Sequence, residues 1–138
     1  MTTTNRDLVA AAVAHFSSGD LDGLLELLHE DFRSHNPGVA GPGRAAFAAY
    51  LTSAEWLRTA TVTVHHVLAD GDYVAVHTHI DVGHGAGMAT VDLFRVHDGR
   101  ITEHWDVVQQ IPERTPNPHA FFQFSGVPRE EPGVVAGP

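Results

Sequence analysis

Asp92, His104 and Asp106 fall in one alternating stretch, Val91 to Gln109, where the chain reads VDLFRVHDGRITEHWDVVQ. Charged and titratable residues inside strands cost solvation unless they have partners or a task. Two carboxylates and an imidazole suit proton transfer. Enolisation needs a base for the proton beside a carbonyl and a donor for the oxyanion that forms, and Asp106 and His104 can divide those roles with Asp92 beside them.

Whether the three meet depends on one hairpin. Alternating segments flank Asp98-Gly99, a pair suited to a tight turn because Gly accepts positive φ. A two-residue loop pairs His97 with Arg100 and puts Asp92 beside Trp105, on the face opposite His104. A three-residue loop over His97, Asp98 and Gly99, closed by a Gly bulge, pairs Val96 with Arg100 and sets Asp92 opposite His104. The second register is expected because of how it sorts the residues. Val91, Leu93, Ile101, Trp105 and Val107 gather on one face, and Asp92, Phe94, Thr102, His104 and Asp106 on the other.

Four further groups bear on a site. His35 precedes the Asn36-Pro37-Gly38 turn and is expected at the pocket rim, whereas Asn36 is read as capping its own turn. His77 and His79 share a strand face with Asp81 and are expected to line the pocket. With His104 they offer a metal ligand set, but a hydrogen-bonded row explains them more simply, so no metal and no cofactor are expected. Phe47, Tyr50, Trp56 and Phe94 supply apolar walls. His15, His29, His65, His66, His84, His97 and His119 fall on helix surfaces, strand ends or loops and read as solvated or structural.

Several elements must position these residues. Leu8, Val9, Ala12, Val13 and Phe16 recur at helical spacing and stop at Gly19. Asp20 caps a second helix with the stripe Leu21, Leu24, Leu25 and Leu28. Asp31 to Asn36 reads as a short strand, and Phe47, Tyr50, Leu51 and Ala54 mark a third helix. Thr61 to Ala69 and Tyr73 to Val82 form a hairpin around Asp70-Gly71-Asp72, followed by the hairpin described above. Val74, Val76, Leu93, Trp105 and Val107 are assigned to the convex face of the sheet, and that much apolar area predicts a homodimer.

The 138 residues fit one domain, expected over residues 1–111, with an extended proline- and glycine-rich tail over 112–138. Phe121, Phe122 and Phe124 predict that part of this tail docks on the body, over a pocket mouth or a partner. A formal charge of −9 and the lack of any lysine argue against nucleic-acid binding and remove imine chemistry. There is no cysteine, hence no disulfide or thiolate. No stretch is long and apolar enough to span a membrane and no leader pattern opens the chain, so a soluble, cytoplasmic protein is expected.

Three helices on a curved antiparallel sheet make an α+β cone that encloses a pocket. That order, with SGDLDGLLELL, RSHNPG and VDLFRVHDGRITEHWDVVQ, resembles the SnoaL-like polyketide cyclase branch of the nuclear transport factor 2-like (NTF2-like) superfamily over residues 5 to about 111. The HNP turn and the EHWD segment are its narrower marks. The resemblance implies aldol-type cyclisation without a cofactor, with Asp106 at the position of the branch's acid/base Asp. The branch often carries His where this chain has Asp92, and this chain supplies His104 instead. A polyketide-like, carbonyl-bearing substrate is therefore expected, handled by Asp106, His104, Asp92 and His35. The alternatives are epoxide opening or isomerisation in the same pocket, or a non-catalytic ligand-binding accessory protein.

Overall fold

The computed structural model describes residues 3–122. Helix α1 spans Asn5–Ser18; the Thr4 hydroxyl accepts from the Asp7 N–H at 3.0 Å, and Gly19 ends the helix at φ +77°. Asp20 caps α2 (Leu21–Leu27) by accepting from the Gly23 N–H at 2.9 Å. Strand β1 (Leu28–Ser34) follows without a loop, then α3 (Gly43–Ser53) and a 3-10 turn over Glu55–Arg58. Strands β2 (Thr61–Asp70), β3 (Tyr73–Asp81), β4 (Met88–His97) and β5 (Arg100–Gln110) complete an α+β fold.

The sheet order is β1-β5-β4-β3-β2, antiparallel except where β1 runs parallel to β5. Strand β1 begins three residues earlier than the sequence suggests, because Leu28, the last residue of the α2 stripe, is also its first core residue. Val9, Leu24, Leu28, Phe32, Val74, Val76, Val96 and Ile101 form the core between helices and sheet. Among the described residues no helix is long and apolar enough to cross a membrane.

The β4–β5 hairpin differs from the expected register in an informative way. The loop has two residues, with Asp98 at φ +49° and Gly99 at +74°, and His97 pairs with Arg100. The bulge lies two residues further on. Val96 pairs with Ile101 and Arg95 with Glu103, leaving Thr102 as the extra residue, its hydroxyl donating to the Arg95 carbonyl at 3.2 Å. From there Phe94 faces His104 and Asp92 faces Asp106. Ile101, grouped from the sequence with Leu93 and Trp105 on the hairpin face away from the trio, is instead fully buried in the core, because the bulge keeps both Ile101 and His104 inward.

The second correction concerns β3. Val76 pairs with Asp92 and Thr78 with Thr90, so Val74, Val76, Thr78 and Ile80 face the core and not the convex side. His77 and His79 point the other way. Burying that apolar row removes more hydrocarbon from water than burying two imidazoles, whose nitrogens would then all need partners.

Candidate active site

The core-facing residues of β3, β4 and β5 and the three helices surround a cavity of about 410 Å³. Phe47, Tyr50, Trp56 and Phe94 line it, as the sequence suggests, together with Phe16, Leu24 and Leu51. Asp92, His104 and Asp106 form its polar end, and one ligating atom from each lies within 4.8 Å of the others.

Each member of this trio is held differently. His104 is 5% exposed, between the rings of Phe94 (5.0 Å) and Phe47 (5.7 Å). Its Nε2 bonds Asp92 Oδ1 at 2.8 Å, and its Nδ1 bonds the Ser34 hydroxyl at 3.1 Å. With Nε2–H donating to the carboxylate, Nδ1 accepts from Ser34 in the neutral ring or donates to it in the imidazolium.

Asp92 has both oxygens engaged, since Oδ2 accepts from the Thr90 hydroxyl at 3.0 Å. Thr90 in turn is hydrogen-bonded to the buried Thr78 hydroxyl. Asp106 differs. Its Oδ2 accepts from Asn36 Nδ2 at 2.8 Å, while Oδ1 has no partner among the described residues. One carboxylate of the pair is thus fully anchored, and the other presents a free oxygen at the cavity. Three ligand atoms this close could together hold a cation; in this structure the His104 nitrogens are bonded to Asp92 and Ser34, and Asp106 is bonded to Asn36.

Asn36 is the residue the sequence reading undervalued. Its Oδ1 caps the turn by accepting from the Gly38 N–H at 2.8 Å, which aims its amide nitrogen at Asp106. One side chain performs both tasks. The signal lay in the alternation, since Phe32 is core and Ser34 and Asn36 continue its face; Ser34 pairs with His104 in the parallel ladder.

The same alternation sends His35 outward, which corrects its placement at the pocket rim. Its backbone N–H donates to the His104 carbonyl at 2.7 Å, but its ring stacks on Trp105 on the convex side (4.8 Å, 6°). There Nε2 donates to Glu103 at 2.9 Å. That hydrogen bond, with the charges of His35 and Arg95 behind it, holds the Glu103 carboxyl below its ordinary value against the opposing effect of burial.

His77 and His79 also lie outside the cavity. His77 Nδ1 meets His66 Nδ1 at 3.0 Å, and His79 Nε2 donates to the Ala86 carbonyl at 2.8 Å. Burial, then the charge of His66, lowers the His77 pKa, partly offset by its bond to the Phe121 backbone. Phe122 packs over this row, stacked on His65 (4.3 Å) and His77 (5.1 Å) and buried with Ala89 and Ile111. The docked tail aromatic therefore covers the convex face and not the pocket mouth; Phe124 lies outside the described residues.

The family model described as the SnoaL-like domain matches residues 9–104. No curated protein matches the chain. Among solved structures, a loop-truncated variant of IdmH is 30% identical with a TM-score of 0.68, over 77% of this chain and 93% of that one. Wild-type IdmH from Streptomyces antibioticus, named as a candidate polyketide cyclase, is 28% identical with a TM-score of 0.65, over 77% and 92%. A candidate ketosteroid isomerase from Kribbella flavida DSM 17836 superposes with a TM-score of 0.70 over 91% of each chain; at 23% identity it shows the shared fold alone.

Proposed function

Because this chain belongs to the SnoaL-like domain family, we propose that its cavity is a cofactor-independent acid/base site that closes a ring by intramolecular aldol chemistry on an apolar, polyketide-like substrate. The observation that carries this reading is the asymmetry of the two carboxylates. Asp106 keeps one oxygen on Asn36 and one open to the cavity, while Asp92 is spent on His104 and Thr90.

Asp106 Oδ1 removes a proton from the carbon beside a carbonyl, and Asn36 fixes the carboxylate plane for that transfer. The enolate carbon attacks a second carbonyl of the same molecule. A C–C bond forms, and the new alkoxide takes back the proton that Asp106 acquired, so the enzyme ends as it began. Tyr50 and Trp56 line the cavity, and their hydroxyl and indole N–H are the donors this scheme assigns to the carbonyl oxygens. His104 touches no substrate in this scheme. Its ring holds Asp92 in place through Nε2 and is itself fixed by Ser34 through Nδ1.

The test is turnover of a linear polyketide-like diketone in ¹⁸O-labelled water. Aldol closure gives a cyclised product whose new hydroxyl oxygen comes from the substrate carbonyl. Solvent label fixed in a diol from an epoxide substrate would point to epoxide opening, and binding without conversion to an accessory role. The convex face also exposes Leu68 (67%) and Val107 (72%) with Tyr73 and Val91, which supports pairing with a second copy. Sedimentation at dimer mass is the expected result; a monomer would contradict the pairing.

A further inference from the structure

The cavity does not end cleanly at its helical wall. A second cavity of about 240 Å³ lies beyond Phe16, Leu24, Leu51 and Leu57, and these four residues line both spaces. They come from α1, α2, α3 and the 3-10 turn, so the partition is built from side chains meeting between elements. Leu51 and Leu57 are only half-buried. Rotamer changes of such leucines are fast and need no backbone movement.

We propose that the two cavities form one elongated substrate site, with Leu51 and Leu57 as a displaceable partition. This rests on reading the Asp92–His104–Asp106 end as the place where a carbonyl is handled. The substrate class then narrows to a long molecule with its dicarbonyl head at Asp106 and a linear apolar chain directed between α1, α2 and α3. The whole partition is hydrocarbon, as such a chain requires. A compact, fused-ring substrate would fill only the first cavity.

The experiment is calorimetric titration with a homologous series of linear alkane-2,4-diones, alongside n-alkanols of matched chain length. Each methylene that leaves water for an apolar cavity tightens binding by about fourfold. The gain is expected to continue past the length that fills the first cavity. Leu21→Trp fills the second cavity from a position that lines it alone, and should stop the gain at the first-cavity length while leaving short diones unaffected. Thr52→Trp, on the exposed side of α3, repeats the test should Leu21→Trp fail to fold.

A plateau at the same chain length in the parent protein and both variants would overturn the proposal, as would failure of both series to bind. If alkanols climb as steeply and bind as tightly as diones, the elongated site stands and the carbonyl reading of its polar end falls. If diones bind better than alkanols but neither gains beyond the first cavity, the reverse holds.

Discussion

Asp92 and Asp106 face each other across the β4–β5 hairpin because Thr102 bulges out of the ladder instead of pairing. A two-residue loop without a bulge would pair Asp92 with Trp105. Leaving Thr102 unpaired shifts every later pair by one relative to that ladder and turns Asp106 and His104 to the cavity.

Deleting Thr102 should therefore preserve the fold, because Val96–Ile101 and Arg95–Glu103 already pair as a regular ladder would on either side of it. The cost is the bond to Arg95 and some local twist, about 1 kcal/mol in urea unfolding. Inserting an alanine between Glu103 and His104 should instead abolish the cooperative transition, since it turns His104 and Asp106 away from the cavity. Equal tolerance of both changes would contradict the register account.

That parity explains what was legible in the sequence. The expected loop bulge would have set Asp92 opposite His104, whereas the observed bulge sets it opposite Asp106, two residues on. Because strand faces repeat every two residues, the trio shares a face in either register. Ile101, lying between the two bulge positions, is the residue whose assignment changed. Helices and strands were readable from leucine stripes and alternation. The facing of β3 was not, because Val74, Val76 and Ile80 compete with His77 and His79 for the inside, and only the packed core decides between them. Asn36 was readable in principle from the Phe32–Ser34–Asn36 alternation but was masked by the commoner turn-capping role, which it also fills.

Asn36→Ala should lower kcat by about 10- to 100-fold with a smaller change in KM, because it frees Asp106 to rotate. His35→Ala, one residue away, keeps the backbone bond to His104 and removes only a ring that lies on the convex side, so it should leave kcat within about threefold. Steady-state kinetics on the pair checks both. A larger kcat effect at His35 than at Asn36 would contradict the assignment.

His104→Ala leaves Asp92 Oδ1 and the Ser34 hydroxyl without this partner and opens a void between Phe47 and Phe94. Urea denaturation should show a loss of about 3 kcal/mol. A change below about 0.5 kcal/mol would mean that the cluster is loosely packed.

Acid should weaken the fold in two separate windows. Burial and His66 hold His77 below the ordinary 6.5, so the unfolded chain takes up that proton first. This contribution is complete above pH 6.5 and fades as pH falls through the lower folded value. His77→Gln should flatten that part of the stability curve. Glu103, held below 4.5 chiefly by its hydrogen bond from His35, contributes above pH 4.5 and loses its share as pH falls through its own folded value. His35→Ala should flatten only this second, more acidic window, as thermal unfolding across pH would show.

The central claim is that the free Asp106 oxygen is the base. Solvent-deuterium exchange into a bound methyl ketone, followed by NMR for the parent protein, Asp106→Asn and Asp92→Asn, tests it most directly. Asp106→Asn should slow exchange by at least about 100-fold while ketone affinity and the unfolding transition stay close to the parent's, and Asp92→Asn should slow it less. Exchange at the parent rate in Asp106→Asn, with the ketone still bound, would contradict the account.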